Sequence, residues 1–212
     1  RVVTLFPEAF EPFLGTSIPG RVAEAGLARY RMVQLRDFTH DRHHTVDDYP
    51  YGGGAGMVLK PEPFFEAVES LGPVEGPVVL LSARGRTFTH RDAVRLSLAS
   101  QLTFLCGHYK DVDQRVAEHL ATEELSLGDF VLTGGEPAAL AMIDAVVRLL
   151  PGALGDHESA SGDSHYEGLL SPPSWTRPPV FRDLGVPDVL LSGNHARIDA
   201  WRLAEAERLT RE

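Results

Sequence analysis

Short apolar runs alternate with longer amphipathic segments along the first 150 residues, and no other feature narrows the possible folds as much. "VVTLF" (Val2–Phe6), "RYRMVQL" (Arg29–Leu35), "VVLLS" (Val78–Ser82) and "LTFLC" (Leu102–Cys106) read as strands. An amphipathic segment runs to about Ala25. Pro61 opens a helix with Phe64, Phe65, Val68 and Leu71 on one face. Thr89 with Asp92 three residues on is an acidic variant of the capping box. Further helices are predicted from about Asp111 to Leu120 and from Pro137 to about Leu150. Strands alternating with helices predict an α/β fold with a mainly parallel sheet covered on both faces.

After Pro151 the apolar pattern lapses into small, polar and acidic residues, the composition of a linker. "PPSWTRPP" (Pro172–Pro179) reads as a stiff, extended connector. A tail follows with a short apolar run, Val189–Leu191, and a helix capped by Asn194 whose apolar members are Ile198, Trp201, Leu203 and Leu209. The boundary is therefore predicted at residues 155–170, between a domain over 1–154 and a small helical C-terminal unit over 171–212.

The chain has 212 residues, 43% of them hydrophobic, enough for one sizeable core with a small appendage. Its formal net charge is -10. That argues against an indiscriminate electrostatic grip on nucleic acid but leaves RNA reading by a local patch open. Cys106 is the single cysteine, so no intrachain disulfide and no cysteine-rich zinc site is available. No apolar run approaches the roughly 20 residues a membrane helix needs. The expectation is a soluble, cytoplasmic protein without a membrane partner.

Glycines gather at the strand ends: Ser82-Ala83-Arg84-Gly85, Cys106-Gly107, Leu127-Gly128 and Gly134-Gly135. Ligands of open α/β sheets bind outside the carboxyl ends of the strands, where glycine lets the main chain approach them. Each glycine read singly ends a strand or helix; together they would make an edge for an adenine or ribose. There is no P-loop and no G-x-G-x-x-G following a strand. The stretch Arg36–Gly56 is a long polar loop ending in glycines. Its histidines, His40, His43 and His44, lack helical patterning, so no metal site is read from them. Asp47 and Asp48 either accept hydrogen bonds from a base edge or are simply solvated. Asp163, in the linker, and Arg148, closing the preceding helix, carry no role by themselves; Arg148 would complement a helix C-terminus.

Five motifs recur in order in one family: "RDFTHDRHHTVDDYPYGGGAGM", "CGHYKDVDQRV", "LSLGDFVLTGGE", "PGALG" and "LLSGNHARIDAWR". From Val3 to about Arg202 the chain resembles the bacterial tRNA (guanine-N1)-methyltransferases of the TrmD type, in the SPOUT superfamily. The resemblance implies a deep trefoil knot in the α/β domain, S-adenosylmethionine as methyl donor, tRNA as partner, and a homodimer whose sites use both subunits. It implies transfer to N1 of the guanosine at position 37, beside the anticodon. Magnesium is often associated with activity in the family, although no dedicated cage is visible.

The resemblance also assigns residues. Leu81, Ser82 and Ala83 form a first cofactor loop with Arg84, and Gly107 and Tyr109 a second. Leu127, Gly128, Asp129, Phe130, Val131 and Leu132, closed by Gly134 and Gly135, form a third. Asp163 matches the catalytic aspartate and Arg148 the arginine that steadies charge on O6. Asp47, Lys110, Arg197 and Arg202 fall to the substrate, and residues 171–212 to a tRNA-binding domain joined by the flexible linker. Three departures stand out: Lys110 replaces a family glutamate, Ala83-Arg84 a proline-glutamine, and Phe130 a tyrosine. The tail after Trp201 is short. Two other readings stay open: a same-fold RNA-binding protein with impaired turnover, and a SPOUT methyltransferase acting on another RNA.

Overall fold

The computed structural model describes residues 1–154, 163–166 and 168–211. The chain divides into two compact units, Arg1–Gly155 and Asp156–Glu212. Residues 155–162 and 167 of the predicted linker lie outside the described residues.

The first unit runs through β1 (Val2–Thr4), α1 (Glu11–Leu14), α2 (Ser17–Glu24), β2 (Met32–Gln34), β3 (Asp47–Asp48), β4 (Val58–Leu59), α3 (Pro61–Glu69) and β5 (Val78–Thr87). It continues through α4 (His90–Ser97), β6 (Thr103–Cys106), β7 (Asp111–Val112), α5 (Gln114–His119), β8 (Glu123–Ser126) and α6 (Glu136–Val147). Five strands make the central sheet in the order β2-β1-β6-β5-β8, all parallel. The strand sequences are apolar without alternation because both faces are covered. One face packs Val79, Phe104 and Leu125 against Ala139, Met142, Ile143 and Val146 of α6 and Ala93 and Leu96 of α4. The other packs Val3, Leu80 and Leu105 against Phe64 and Val68 of α3 and Val116 of α5. Each of these side chains larger than alanine, taken fully out of water, contributes about 1.5–3 kcal/mol.

Three predicted boundaries shift, each for a local reason. The predicted helix at Asp111–Leu120 starts late. Asp111 and Val112 pair with Val58 and Leu59 of β4, and Asp113 caps α5 by accepting from Arg115 N at 2.9 Å. The Arg36–Gly56 segment is not wholly irregular: a 3-10 turn spans Leu35–Phe38, and β3 pairs with β4. Asp41 organises it by accepting from His43 N at 2.9 Å and from Thr45 N at 2.9 Å.

The third shift matters most to the site. The strand predicted to end at Ser82 runs on to Thr87, with a break in register: Leu81 and Arg86 both face Leu125 of β8. Residues between them bulge out of the sheet. Gly85 permits this, because a Cβ there would lie 2.6 Å from Leu125 N. The far end of the bulge is anchored electrostatically. Arg86 donates twice to Asp92, at 2.8 and 2.7 Å, while Thr89 closes the capping box on the same carboxylate. Arg95 joins by donating to Glu123 at 2.7 Å.

Those partners hold the Asp92 carboxyl well below the ordinary carboxylate value of 3.8, the Arg86 hydrogen bonds contributing most. A depressed folded-state pKa stabilises fully above the unfolded value and is lost as pH falls through the folded one. Asp92→Asn is therefore expected to destabilise the fold by about 2 kcal/mol at pH 7. The difference from wild type should narrow below pH 4, as followed by denaturant unfolding across pH.

The second unit contains an antiparallel pair, β9 (Val180–Phe181) and β10 (Leu184–Gly185), then α7 (Asp188–Leu191) and α8 (His195–Arg211). Asn194 caps α8 as predicted, accepting from Arg197 N at 3.2 Å. Trp201 meets Trp175 of the proline-rich connector, ring centroids 5.5 Å apart. Leu203, predicted on the apolar face, is exposed. The β9–β10 hairpin is additional to the helical unit read from the sequence.

Candidate active site

The bulge of β5 and the carboxyl ends of β6 and β8 surround a pocket of about 250 Å³. Leu80, Leu81, Leu127, Phe130, Val131 and Leu132 supply apolar wall, and the Gly107 and Gly134–Gly135 segments supply main chain. Two hydrogen-bonded contacts draw the loop after β8 onto the end of β6. Gly135 N donates to Gly107 O at 2.8 Å, and His108 bridges Gly134 in antiparallel fashion. The approach is close: a Cβ on Gly135 would sit 2.8 Å from Cys106 Cα. Below the turn, Thr4 Oγ1 donates to Glu136 Oε1 at 2.6 Å, tying β1 to the first turn of α6. Apolar walls with a few polar groups at the edge are the usual makeup of a small-molecule site. A nucleoside, with a flat apolar base and a polar sugar, fits that distribution.

Eleven of the thirteen residues assigned to the cofactor line this pocket: Leu81, Ser82, Ala83, Gly107, Tyr109, Leu127, Phe130, Val131, Leu132, Gly134 and Gly135. Gly128 and Asp129 are not among its lining. Gly128 makes the turn itself, its carbonyl accepting from Phe130 N at 2.9 Å and from Ser126 Oγ at 3.0 Å. Phe130 folds back so that a Cβ on Gly128 would be 3.0 Å from its ring. Tyr109 takes a positive φ of 61° and turns the second loop. Sequence reasoning missed Thr133, Ser126 and Ala138 as lining residues, which have no chemical signature of their own. His108 lay inside a quoted motif without a role; it too lines the pocket, with Nδ1 buried and without a hydrogen-bond partner among the described residues.

Charged side chains stand at the pocket mouth. Arg84 pairs with Asp111 at 3.3 Å and approaches Glu124 at 3.9 Å. Lys110 also lines the mouth. The Cys106 thiol is no nucleophile here, since burial first, and the Glu136 carboxylate second, push its pKa well above the ordinary value.

Asp47 lies in β3, opposite Leu59 of β4, in the small sheet whose third strand, β7, begins right after Lys110. Arg148 is the half-buried C-cap of α6, its N–H donating to Asp144 O at 3.3 Å. In the second unit, Asp163 is half-buried, and its carbonyl accepts from Tyr166 N at 3.3 Å. Arg197 and Arg202 are exposed on α8. Arg202 borders a groove shared with Trp175, Arg177 and Ile198, and its Nη1 lies 3.7 Å from Asp199. Among the described residues no group of three or more His, Cys, Asp or Glu side chains converges to hold a metal ion. No helix is long and apolar enough to cross a membrane among them.

Comparison with known proteins places this architecture. The family described as tRNA (Guanine-1)-methyltransferase TrmD matches residues 1–212. The tRNA (guanine-N(1)-)-methyltransferase of Dehalococcoides mccartyi strain ATCC BAA-2266 is 57% identical over 212 residues, 99% of this chain and 86% of that protein. The protein of the same name from Staphylococcus aureus strain MRSA252 is 53% identical over 201 residues, 94% of this chain and 82% of that protein. A match along the whole length, over the very loops that build the pocket, settles the family: this chain belongs to the tRNA (guanine-1)-methyltransferases of the TrmD type.

Proposed function

We propose that this enzyme transfers the methyl group of S-adenosylmethionine to N1 of the guanosine at position 37 of tRNA, next to the anticodon. The observation that carries the reading is the pocket between the β5 bulge and the ends of β6 and β8, built from the same three segments the family resemblance assigns to the cofactor. Leu81–Ala83, Gly107, Tyr109 and Leu127–Gly135 would hold the adenosine by apolar contact and main-chain hydrogen bonds. Bound there, S-adenosylmethionine supplies an electrophilic methyl group. A knotted path belongs to this reading. Its support is that the chain leaving β8, on one side of β5, returns to bond the end of β6 on the other.

The protein's part in the chemistry follows from guanine. N1 carries a proton at neutral pH and is a poor nucleophile until the proton leaves. Asp163 takes that proton, which requires a carboxylate within hydrogen-bond reach of N1. The charge then moves to O6, where the Arg148 guanidinium donates to it. Asp163 comes from the linker, suited to ordering when tRNA arrives. Residues 171–212 bind tRNA through Arg197 and Arg202, and Asp47 accepts from a base edge. The working enzyme is a cytoplasmic homodimer whose sites draw on both subunits. Magnesium finds no carboxylate cage among the described residues, and no step is assigned to it.

Methyl transfer to unmodified tRNA transcripts tests the proposal. Transcripts with guanosine at position 37 are expected to be methylated at N1, and transcripts with another base there are not. Binding of the methyl donor without transfer, or transfer to a different nucleotide, would overturn it.

A further inference from the structure

Lys110 lines the pocket mouth, and its surroundings give it a task. Its N–H donates to Met57 O at 3.1 Å, fastening it to the segment before β4. Its stem lies along the glycine run of the preceding loop. A Cβ on Gly56 would be 3.1 Å from Lys110 Cβ and 3.3 Å from Cδ, and one on Gly54 3.3 Å from Nζ. The side chain is thus laid down by backbone that carries no side chains of its own. Two other charged groups line the same mouth, Arg84 and Asp111, and they are paired with each other. Lys110 makes no ion pair among the described residues, so its ammonium is the unpaired cation among the charged side chains lining the mouth.

Taking the pocket as the site of the methyl donor, as proposed above, we propose that Lys110 binds the carboxylate at the donor's amino-acid end. The nucleoside occupies the apolar part, and the amino-acid end leaves it toward the mouth. An ammonium beside a carboxylate forms a charge-assisted hydrogen bond. A carboxylate at the Lys110 position, which the family resemblance implies for relatives, would repel the same group.

Calorimetric titration of the intact protein with two ligands isolates the contact. S-adenosylhomocysteine keeps the carboxylate; 5′-methylthioadenosine lacks the whole amino-acid end. Lys110→Met preserves the stem against Gly54 and Gly56 and removes only the charge. It is expected to weaken S-adenosylhomocysteine about tenfold, to leave 5′-methylthioadenosine unchanged, and to be rescued by Lys110→Arg. Equal losses for both ligands would overturn the assignment. So would unchanged S-adenosylhomocysteine affinity with a raised KM for tRNA, since the ammonium would then serve the RNA. Wild-type protein that bound neither ligand would overturn the proposed function, and this assignment with it.

Discussion

Asp163→Asn is expected to slow single-turnover methyl transfer about 10³-fold, the scale of a lost general base, while the affinity for S-adenosylhomocysteine stays at the wild-type level. The asymmetry comes from the geometry. The pocket proposed for the donor lies wholly within the first unit, and Asp163 belongs to the second. Asparagine keeps the size and hydrogen-bonding reach of the side chain but cannot take a proton from N1. Raising the pH should recover part of the loss, because solvent hydroxide then removes the proton. Rapid-quench measurement of one turnover on tRNA carrying guanosine at position 37 reads this directly. Near-normal transfer by the variant would remove Asp163 from the mechanism.

Gly135→Ala should damage both stability and donor binding. Gly135 has ordinary helical torsions, φ -76° and ψ -13°, so alanine meets no backbone penalty there. The obstacle is contact: its Cβ would lie 2.8 Å from Cys106 Cα and 3.1 Å from Gly107 N. Both are main-chain atoms of a buried strand end and cannot swing aside. The Gly135–Gly107 hydrogen bond must lengthen, and the third loop must lift from β6. The expected cost is about 2 kcal/mol, a fall in Tm of about 4–8 °C. Affinity for S-adenosylhomocysteine should drop about tenfold or more. Gly185→Ala is the control: nothing lies within 4 Å of its Cβ, and stability should hold. A Gly135→Ala protein as stable and as tight-binding as wild type would show that the loop does not depend on that approach.

The central strands were legible because burial on both faces leaves a plain mark, an apolar run such as "TFLC" stopped by glycine. The pocket was legible as a set of glycines at strand ends, even though each one alone meant little. Strands that owe their existence to a partner left no such mark. Asp111–Val112 is a strand only because β4 lies beside it. The β9–β10 hairpin escaped for a different reason. Its turn residues, Arg182 and Asp183, take positive φ values of 49° and 63°, a conformation normally advertised by glycine or asparagine. Nor did local pattern reveal the charge pairing at the pocket mouth: Arg84 and Asp111 are distant in sequence and meet at 3.3 Å only after the sheet forms. Arg148 and Asp163 had no local signal either, and their roles came from the family resemblance.

The strand order has a consequence for the ribosome. Val2 lies beside Phe104, so β1 waits for about a hundred further residues before its inner neighbour exists. At roughly 5–20 residues per second of synthesis, that leaves a sticky hairpinless edge waiting about 5–20 s. Nascent chains of this enzyme should therefore lean on holding chaperones until residue 106 has cleared the exit tunnel.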